Sequence, residues 1–323
     1  HALQPTLKNG DTIKLVLVDT KGDKVESANA TTRLISSDKV VGILGELTST
    51  NTAQVMAIAE KKQIPVISPV ATNDKLTEQK QFANRVCFTD SFQGAVVANY
   101  ATKDLKLKTA VVVSDQAQVY SLGLAKAFKE AFEKAGGKIV KEIKVSSGDK
   151  DFKAVVSQIK TANPDFMFLP MYHPEVSMIA RQAKQIGLVK PMFSGDGVAN
   201  QTFIDLGGEA VEGYMFTDFF DYGAPPTQRS KDFIAAYSKK TGKQDVNSFV
   251  ALGADAYNVM IDAMNRCANP EDSVCINNAI KSTVNFEGVS GVLNIDKSGN
   301  STRSAVIKVV QNGKAVYKAT VNP

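Results

Sequence analysis

The stretch TAVVVSDQAQVYSLGLAKAFKEAFEKAGGKIVKEIKV, residues 109–145, decides the fold class. Its first part, residues 109–114, is an apolar run that predicts a buried strand. Residues 122–135 carry apolar side chains at helical spacing, and the glycine pair that follows ends the helix. Residues 138–145 predict a second strand. A strand, a crossover helix and another strand in this order indicate a β-α-β unit of a parallel sheet.

The same alternation extends in both directions along the chain. The further predicted strands are 13–19, 40–45, 65–68 and 165–171. The further predicted helices are 27–36, 50–62, 92–105, 152–162 and 176–186. Two long helices, 229–240 and 249–266, come after a Pro/Gly loop, and strands at 289–295, 304–310 and 315–321 predict an antiparallel closing element. Because no long linker separates the two strand-helix arrays, the sequence predicts an α/β fold with two lobes that share crossings.

Composition excludes several classes of protein. The 323 residues include 43% hydrophobic and 22% charged residues, which is typical of a globular chain and excludes disorder. The net charge of +5 is spread along the chain, so we expect the protein to bind neither nucleic acid nor a membrane surface. No apolar run reaches the roughly 18 residues of a membrane span, and no signal peptide is recognisable. From these features the chain is expected to be cytoplasmic or a processed, exported form.

Histidine and cysteine usage argues against catalysis and metal binding. The two histidines are His1 and His173, and the GxSxG motif of a nucleophile elbow is absent from the sequence. We therefore expect no enzyme activity, no metal and no cofactor. Cys267 and Cys275 lie eight residues apart in a polar segment that suits a short disulfide loop, with two free surface thiols as the alternative. Cys87 lies in an apolar stretch and is expected to be buried.

Hydroxyl-bearing residues crowd one predicted helix start. Residues 48–52, Thr-Ser-Thr-Asn-Thr, follow the strand predicted at 40–45. The backbone N–H groups and dipole of a helix N-terminus favour an anion. An ordinary N-cap is the alternative, although one cap needs only one such side chain.

Loops after the other strands add aromatic and acidic groups. They contain Thr72, Tyr120, Tyr172 and Asp196. Asp196 stands between two glycines, which would hold its carboxylate close to the backbone, where it can meet a cation; a solvated turn is the alternative. In open α/β sheets ligands bind beyond the carboxyl ends of the strands. This set of side chains favours binding of a small zwitterion over catalysis.

Several longer segments carry a family resemblance. They are GELTSTNT (45–52), IPVISPVATND (64–74), VYSLGLAKAFKEAF (119–132), MYHPE (171–175), SGDGVAN (194–200), GGEAVEGYMFT (207–217) and FVALGADAYNVM (249–260). In this order, and over nearly the whole chain, they resemble periplasmic solute-binding proteins of the leucine/isoleucine/valine type. The resemblance implies a type I periplasmic binding protein fold, with two Rossmann-like lobes joined by three hinge crossovers. It assigns residues 1–90 plus 219–304 to one lobe, and 91–218 plus 305–323 to the other.

The resemblance also implies a function. A free amino acid, branched-chain or another small aliphatic or polar one, would be captured in an interlobe cleft and delivered to the membrane permease of an ABC transporter. The protein is expected to be a monomer that is periplasmic, or exported and tethered at the cell surface. The alternative is the ligand-sensing domain of a receptor or regulator with the same fold.

Site residues follow from the matching positions. Ser49 and Thr72, with backbone groups near Val70, resemble the holders of the ligand's α-carboxylate, and Asp196 resembles the acid that meets the α-ammonium. The remaining expected ligand-binding residues belong to the second lobe or to the pocket wall: Tyr120, Tyr172, Leu47, Thr48 and Phe249.

The sequence departs from the family pattern at four places, one of which is Val119-Tyr120-Ser121, where the family usually has Tyr-Gly and this chain has one extra residue. Many close relatives have Glu where Asp196 stands, and Thr48 is polar where branched-chain binders tend to be apolar. Family members also begin with a strand, a loop that reaches the ligand and a long helix, and residues 1–10 resemble the end of that helix. We expect the leading segment to be omitted from this sequence or supplied from elsewhere.

Overall fold

The computed structural model describes residues 1 and 3–323, which form two compact units. Unit 1 comprises His1–Thr89 and Pro225–Arg303, and unit 2 comprises Asp90–Ala224 and Ser304–Pro323. Residues 219–224, expected in the first lobe, therefore belong to unit 2. Asp221 in this segment is ion-paired with Lys308 of unit 2 at 3.2 Å.

The regular elements, among residues 1 and 3–323, alternate much as the sequence predicts. The helices are α1 Lys24–Ser36, α2 Ser49–Lys62, α3 Asp90–Asn99, α4 Val119–Lys134, α5 Lys153–Ala162, α6 His173–Gln185, α7 Gln201–Gly207, α8 Gln228–Thr241, α9 Ser248–Arg266 and α10 Ser273–Lys281. The strands are β1 Ile43–Leu44, β2 Val66–Ser68, β3 Ala83–Arg85, β4 Thr109–Asp115, β5 Lys138–Val145, β6 Phe166–Phe168, β7 Met192–Ser194, β8 Met215–Asp218, β9 Phe286–Glu287, β10 Val292–Ile295, β11 Ser301–Thr302, β12 Ala305–Gln311 and β13 Lys314–Val321.

Unit 1 contains a short parallel sheet covered by helices. Its strand order is β1-β2-β3, with Ile43 opposite Val66. The buried face of α2, with Val55 and Met56, packs into the same apolar cluster as Ile43. Neighbouring parallel strands end at the same edge of a sheet, so the loops that follow β1 and β2 lie side by side.

The predicted strand at residues 13–19 is wrong. The segment forms no strand, and Leu17 is 97% exposed. It lines an apolar groove of about 1410 Å³ in unit 1, together with the 40–44 segment and residues of α8 and α9. A strand needs a hydrogen-bonding neighbour, and within residues 1 and 3–323 no strand pairs with this segment.

The predicted antiparallel closing element is divided between the units. β10 pairs with β9 and β11 in a small antiparallel sheet of unit 1. β12 and β13 form an antiparallel hairpin that joins the large sheet of unit 2 through β8. The prediction of a single closing element is therefore wrong, although β12 and β13 do pair with each other as a hairpin.

Unit 2 is built on one large sheet in the order β13-β12-β8-β7-β6-β4-β5. The strands from β8 to β5 are parallel, and β5 and β6 lie on opposite sides of β4. The order reverses at this point, so β4 and β6 flank a topological switch point, where α/β sheets bind ligands at the carboxyl ends of their strands.

The predicted disulfide is confirmed. Cys267, at the end of α9, is bonded to Cys275 in α10, with the two Cα atoms 5.9 Å apart. Cys87 is buried, as predicted, and is not part of this disulfide. Among the described residues, we find no helix with the length and hydrophobicity that crossing a bilayer would require.

Candidate functional site

Unit 1 brings together two predicted site residues, Ser49 and Thr72, which we call the hydroxyl cluster. Ser49 is the first residue of α2, just after β1, and Thr72 lies in the loop after β2. A hydrogen bond links the two loops, since the backbone N–H of Asn73 donates to Ser49 Oγ at 3.3 Å. The loops lie together because their strands are neighbours in the sheet.

Two further hydroxyls fix the backbone beneath this cluster. Ser68 Oγ and Thr52 Oγ1 both donate to the carbonyl oxygen of Glu46, at 2.8 and 3.0 Å. Ser68 Oγ also accepts from the backbone N–H of Ala71 at 3.1 Å. The hydroxyl-rich sequence at residues 48–52 therefore supports the loop as well as the helix start.

Thr72 carries an unpaired polar group. Its side chain is 1% exposed, and its Oγ1 has no hydrogen-bond partner within the described part of the chain. An unsatisfied buried hydroxyl costs about 1–3 kcal/mol, so such a group indicates a missing acceptor or donor. Thr48 occupies the N-cap position of α2, but its side chain makes no capping bond. The helix start and Thr72 together can receive an anion.

The other unit 1 site residues differ in exposure. Val70 is buried, Leu47 is 50% exposed, and Thr48 and Phe249 are partly buried. Val70 shares the loop of Thr72, and Leu47 and Thr48 lead into α2. Phe249 lies in the first turn of α9, and its role as pocket wall stays a prediction.

Unit 2 brings together Gln93, Tyr120 and Asp196, which we call the carboxylate cluster. Tyr120 lies at the start of α4 after β4, and Asp196 lies in the loop after β7. Asp196 is 5% exposed, which excludes the solvated turn that the sequence left open. Tyr172, which immediately precedes α6 in the loop after β6, stacks on Tyr120 with ring centroids 5.0 Å apart.

Hydrogen bonds from two helices hold the Asp196 loop. Gln93 Nε2 of α3 donates to Asp196 Oδ1 at 2.9 Å, and the backbone N–H of Asp196 donates to Gln93 Oε1 at 2.8 Å. The Tyr120 hydroxyl accepts from the backbone N–H of Gly197 at 3.0 Å. Thr217 Oγ1 of β8 also donates to Gln93 Oε1, at 2.6 Å.

Burial makes Asp196 an unusual acid. Desolvation raises its pKa to about 7, the hydrogen bonds from Gln93 and Tyr120 lower the pKa, and the charge of Asp218 raises it. Burial and the neighbouring charge of Asp196 also raise the pKa of Tyr120, which therefore stays a neutral phenol. A cationic ligand group would restore the ionised form of Asp196.

The two glycines beside Asp196 have a steric purpose. A Cβ on Gly195 would lie 2.6 Å from the Tyr120 hydroxyl and 2.7 Å from Gln93 Oε1. A Cβ on Gly197 would lie 2.7 Å from the carbonyl oxygen of Met171. Only glycine lets this loop approach its neighbours so closely, in line with the sequence interpretation that the carboxylate is held near the backbone.

Sequence reasoning missed Gln93 and Thr217. Both are fully buried polar residues, and each lies within an otherwise ordinary helix or strand. A polar residue among apolar neighbours, as in the α3 sequence DSFQGAVVAN, is the one available signal, and it does not reveal the partner. His173 is the first residue of α6, where burial lowers its pKa and its Nδ1 lies 3.4 Å from Asn200 Nδ2. Among the described residues no group of three potential metal ligands is found.

Comparison with known proteins adds a family match. The sequence profile described as periplasmic binding protein matches residues 7–314. The Leu/Ile/Val-binding protein of Citrobacter freundii is 30% identical over 90% of this chain and 77% of its own length.

Two solved structures are similar over nearly the whole chain. The leucine-binding protein LivK from Thermotoga maritima is 40% identical, with a TM-score of 0.97 over 100% of this chain and 91% of LivK. LivJ from Streptococcus pneumoniae, a branched-chain amino acid transporter substrate-binding protein solved with isoleucine, is 31% identical, with a TM-score of 0.90 over 99% of this chain and 90% of LivJ. The fold prediction is confirmed by these matches.

Proposed function

Because this chain belongs to the periplasmic binding protein family, we propose that it is a solute-binding protein that captures a free amino acid and delivers it to the permease of an ABC transporter. The observation that carries the proposal is the contrast between two buried clusters. One offers the unpaired Thr72 hydroxyl and the N-terminus of α2, and the other offers a single desolvated acid.

The ligand's carboxylate is assigned to the hydroxyl cluster. Thr72 Oγ1 can donate a hydrogen bond to it, and the start of α2 supplies N–H groups with a favourable dipole. Hydrogen bonds to an ionised group contribute about 1.5–3 kcal/mol each. Ser49 and backbone groups near Val70 complete this half of the ligand site.

The ligand's ammonium group is assigned to the carboxylate cluster. Asp196 is buried, so an ion pair formed there is weakly screened by solvent. Tyr120 and Tyr172 form a stacked aromatic pair beside it and supply hydrophobic contact. A few charge-assisted bonds to the two charged groups of the ligand, less the ordering costs, give micromolar or tighter affinity, about −8 kcal/mol.

The side-chain preference is assigned to branched-chain and other small aliphatic amino acids. This assignment is supported by the named ligands of LivK and LivJ and by the apolar Leu47 in the loop before α2. Thr48, at the N-cap, leaves room for a modestly polar side chain. The protein is assigned to the periplasm, or to the cell surface after export, and the confirmed disulfide suits an oxidising compartment.

A thermal-shift panel of the twenty common amino acids, followed by calorimetry on the hits, tests the proposal. Leucine, isoleucine or valine should raise the melting temperature and bind with a Kd in the micromolar range or below. The matching amides, in which the carboxylate is neutral, serve as controls and should bind far more weakly. If no free amino acid stabilises the protein, the proposed function is wrong.

A further inference from the structure

Gln93 makes an unusually complete set of contacts with the acid of the carboxylate cluster. It is fully buried in α3, and its amide bonds to both the side chain and the backbone of Asp196. The carbonyl oxygen of its amide accepts a second hydrogen bond, from Thr217 Oγ1. All three polar groups lie within unit 2.

These contacts fix which end of the amide faces the carboxylate. The backbone N–H of Asp196 can only donate, so the group opposite it must be Gln93 Oε1. Gln93 Nε2 therefore points at Asp196 Oδ1, and an amide N–H there excludes a proton from that oxygen. A proton bound by Asp196 is consequently directed to Oδ2.

Close helix packing holds Gln93 in this position. A Cβ on the neighbouring Gly94 would lie 2.6 Å from the backbone nitrogen of Phe128 in α4. Because α3 and α4 approach each other so closely at Gly94, Gln93 has little freedom to move away from Asp196. The glycine at position 195 allows the same approach from the other side.

We propose that Gln93 is a positioning residue for Asp196, and that the ligand's ammonium group replaces a proton on Asp196 Oδ2. The inference rests on the proposed function. In the exchange, the neutral carboxylic acid loses its Oδ2 proton to solvent, and the resulting carboxylate accepts a hydrogen bond from the ammonium group, which keeps its own three protons. Oδ1 remains bonded to Gln93 throughout.

The other ionisable groups around Asp196 belong to several elements. Tyr120 of α4 and Asp218 of β8 act on Asp196 directly. Asp90 of α3 and Tyr172 act on Tyr120, His173 follows Tyr172 in the chain, and Lys308 of β12 pairs with Asp218 at 2.8 Å. Asp218 opposes ionisation of Asp196, and the hydrogen bond from Gln93 favours it. His173 is also titratable, with its pKa lowered by burial, so each measurement needs Asp196→Asn as its reference.

The first test uses the ligand-free protein and follows the carboxyl ¹³C signal of Asp196 by NMR, assigned by its loss in Asp196→Asn. We expect the titration midpoint to rise by at least one pH unit, a tenfold weaker acid, in Gln93→Met and in Gln93→Glu. Gln185→Met, on the exposed face of α6, is the matched control and should leave the midpoint unchanged. A midpoint that does not move in Gln93→Glu would overturn the positioning role, whether or not any amino acid binds.

The second test uses the wild-type protein and does not depend on the folding of a Gln93 variant. L-Leucine is titrated by calorimetry at pH 6.5 in phosphate and in Tris, whose ionisation enthalpies differ. Binding should release about half to one proton in the wild type and none in Asp196→Asn. Binding of leucine without proton release would overturn the exchange and leave the proposed function intact, whereas failure of every amino acid to bind would refute the proposed function alone.

Discussion

The hydroxyl cluster of unit 1 and the carboxylate cluster of unit 2 bury polar groups by different means. The hydroxyl cluster is neutral and leaves Thr72 Oγ1 unpaired. The carboxylate cluster contains an ionisable acid, Asp196, which accepts a hydrogen bond from Gln93 Nε2, and the Tyr120 hydroxyl accepts one from the backbone N–H of the adjacent Gly197. A neutral cluster is insensitive to pH, whereas a buried acid is destabilising whenever it is ionised. The two clusters should therefore respond differently to substitution and to pH.

The largest expected effect is on the pH dependence of stability without ligand. The pKa of Asp196 is raised in the folded protein to about 7, so below pH 4 the group is protonated in both folded and unfolded chains. As pH rises from 4 to 7 the unfolded chain ionises first, and the folded state loses up to about 4 kcal/mol relative to a neutral side chain. Asp196→Asn should therefore gain stability over the wild type across this window, measured by urea unfolding at each pH.

The matched control for this comparison is Thr72→Val in the hydroxyl cluster. The difference in free energy of unfolding between Thr72→Val and the wild type should be the same at every pH, because threonine does not titrate. If the difference in free energy of unfolding between Asp196→Asn and the wild type were also independent of pH, the pKa of Asp196 would not be raised in the folded protein.

The second effect concerns affinity. Removing the charge in Asp196→Asn should weaken leucine binding about 10- to 150-fold, which corresponds to the loss of one charge-assisted interaction of about 1.5–3 kcal/mol. Calorimetry at pH 8 measures the change. Asp205→Asn, an exposed acid in α7, is the control and should bind leucine like the wild type. Equal affinities for wild type and Asp196→Asn would remove Asp196 from the ligand site.

A smaller effect is expected at the hydroxyl cluster, where two buried threonines can be compared. Thr72→Val removes an unpaired hydroxyl, so leucine should bind about tenfold more weakly while the ligand-free melting temperature stays equal or rises. Thr77 donates to Asn300 Oδ1 at 2.9 Å, so Thr77→Val should lower the melting temperature and leave affinity unchanged. Calorimetry and thermal denaturation on both variants measure these changes. If Thr72→Val behaved like Thr77→Val, the hydroxyl of Thr72 would be structural.

The same contrast explains how much the sequence could predict. The alternation of strands and helices is local, since buried runs and helical spacing are visible over a few residues, and most helices begin and end within a few residues of their predicted bounds. The hydroxyl cluster also has a local signal, because its side chains crowd one helix start. Asp196 is marked by its two glycines.

Features that depend on a distant neighbour could not be predicted. Residues 13–19 are rich in the apolar residues typical of a strand, but strand formation needs a partner that the local sequence does not specify, and Leu17 is exposed. Gln93 is separated by 103 residues from the acid that it holds. The division of the last strands between the units likewise depends on pairing of β12 with β8.

The most direct test of the central claim is a crystal structure of the protein with L-leucine. We expect the ligand's carboxylate within about 3.2 Å of Thr72 Oγ1 and its ammonium nitrogen within about 3.2 Å of Asp196 Oδ2. A leucine bound in the reverse orientation, or away from both residues, would contradict the assignment of the two clusters.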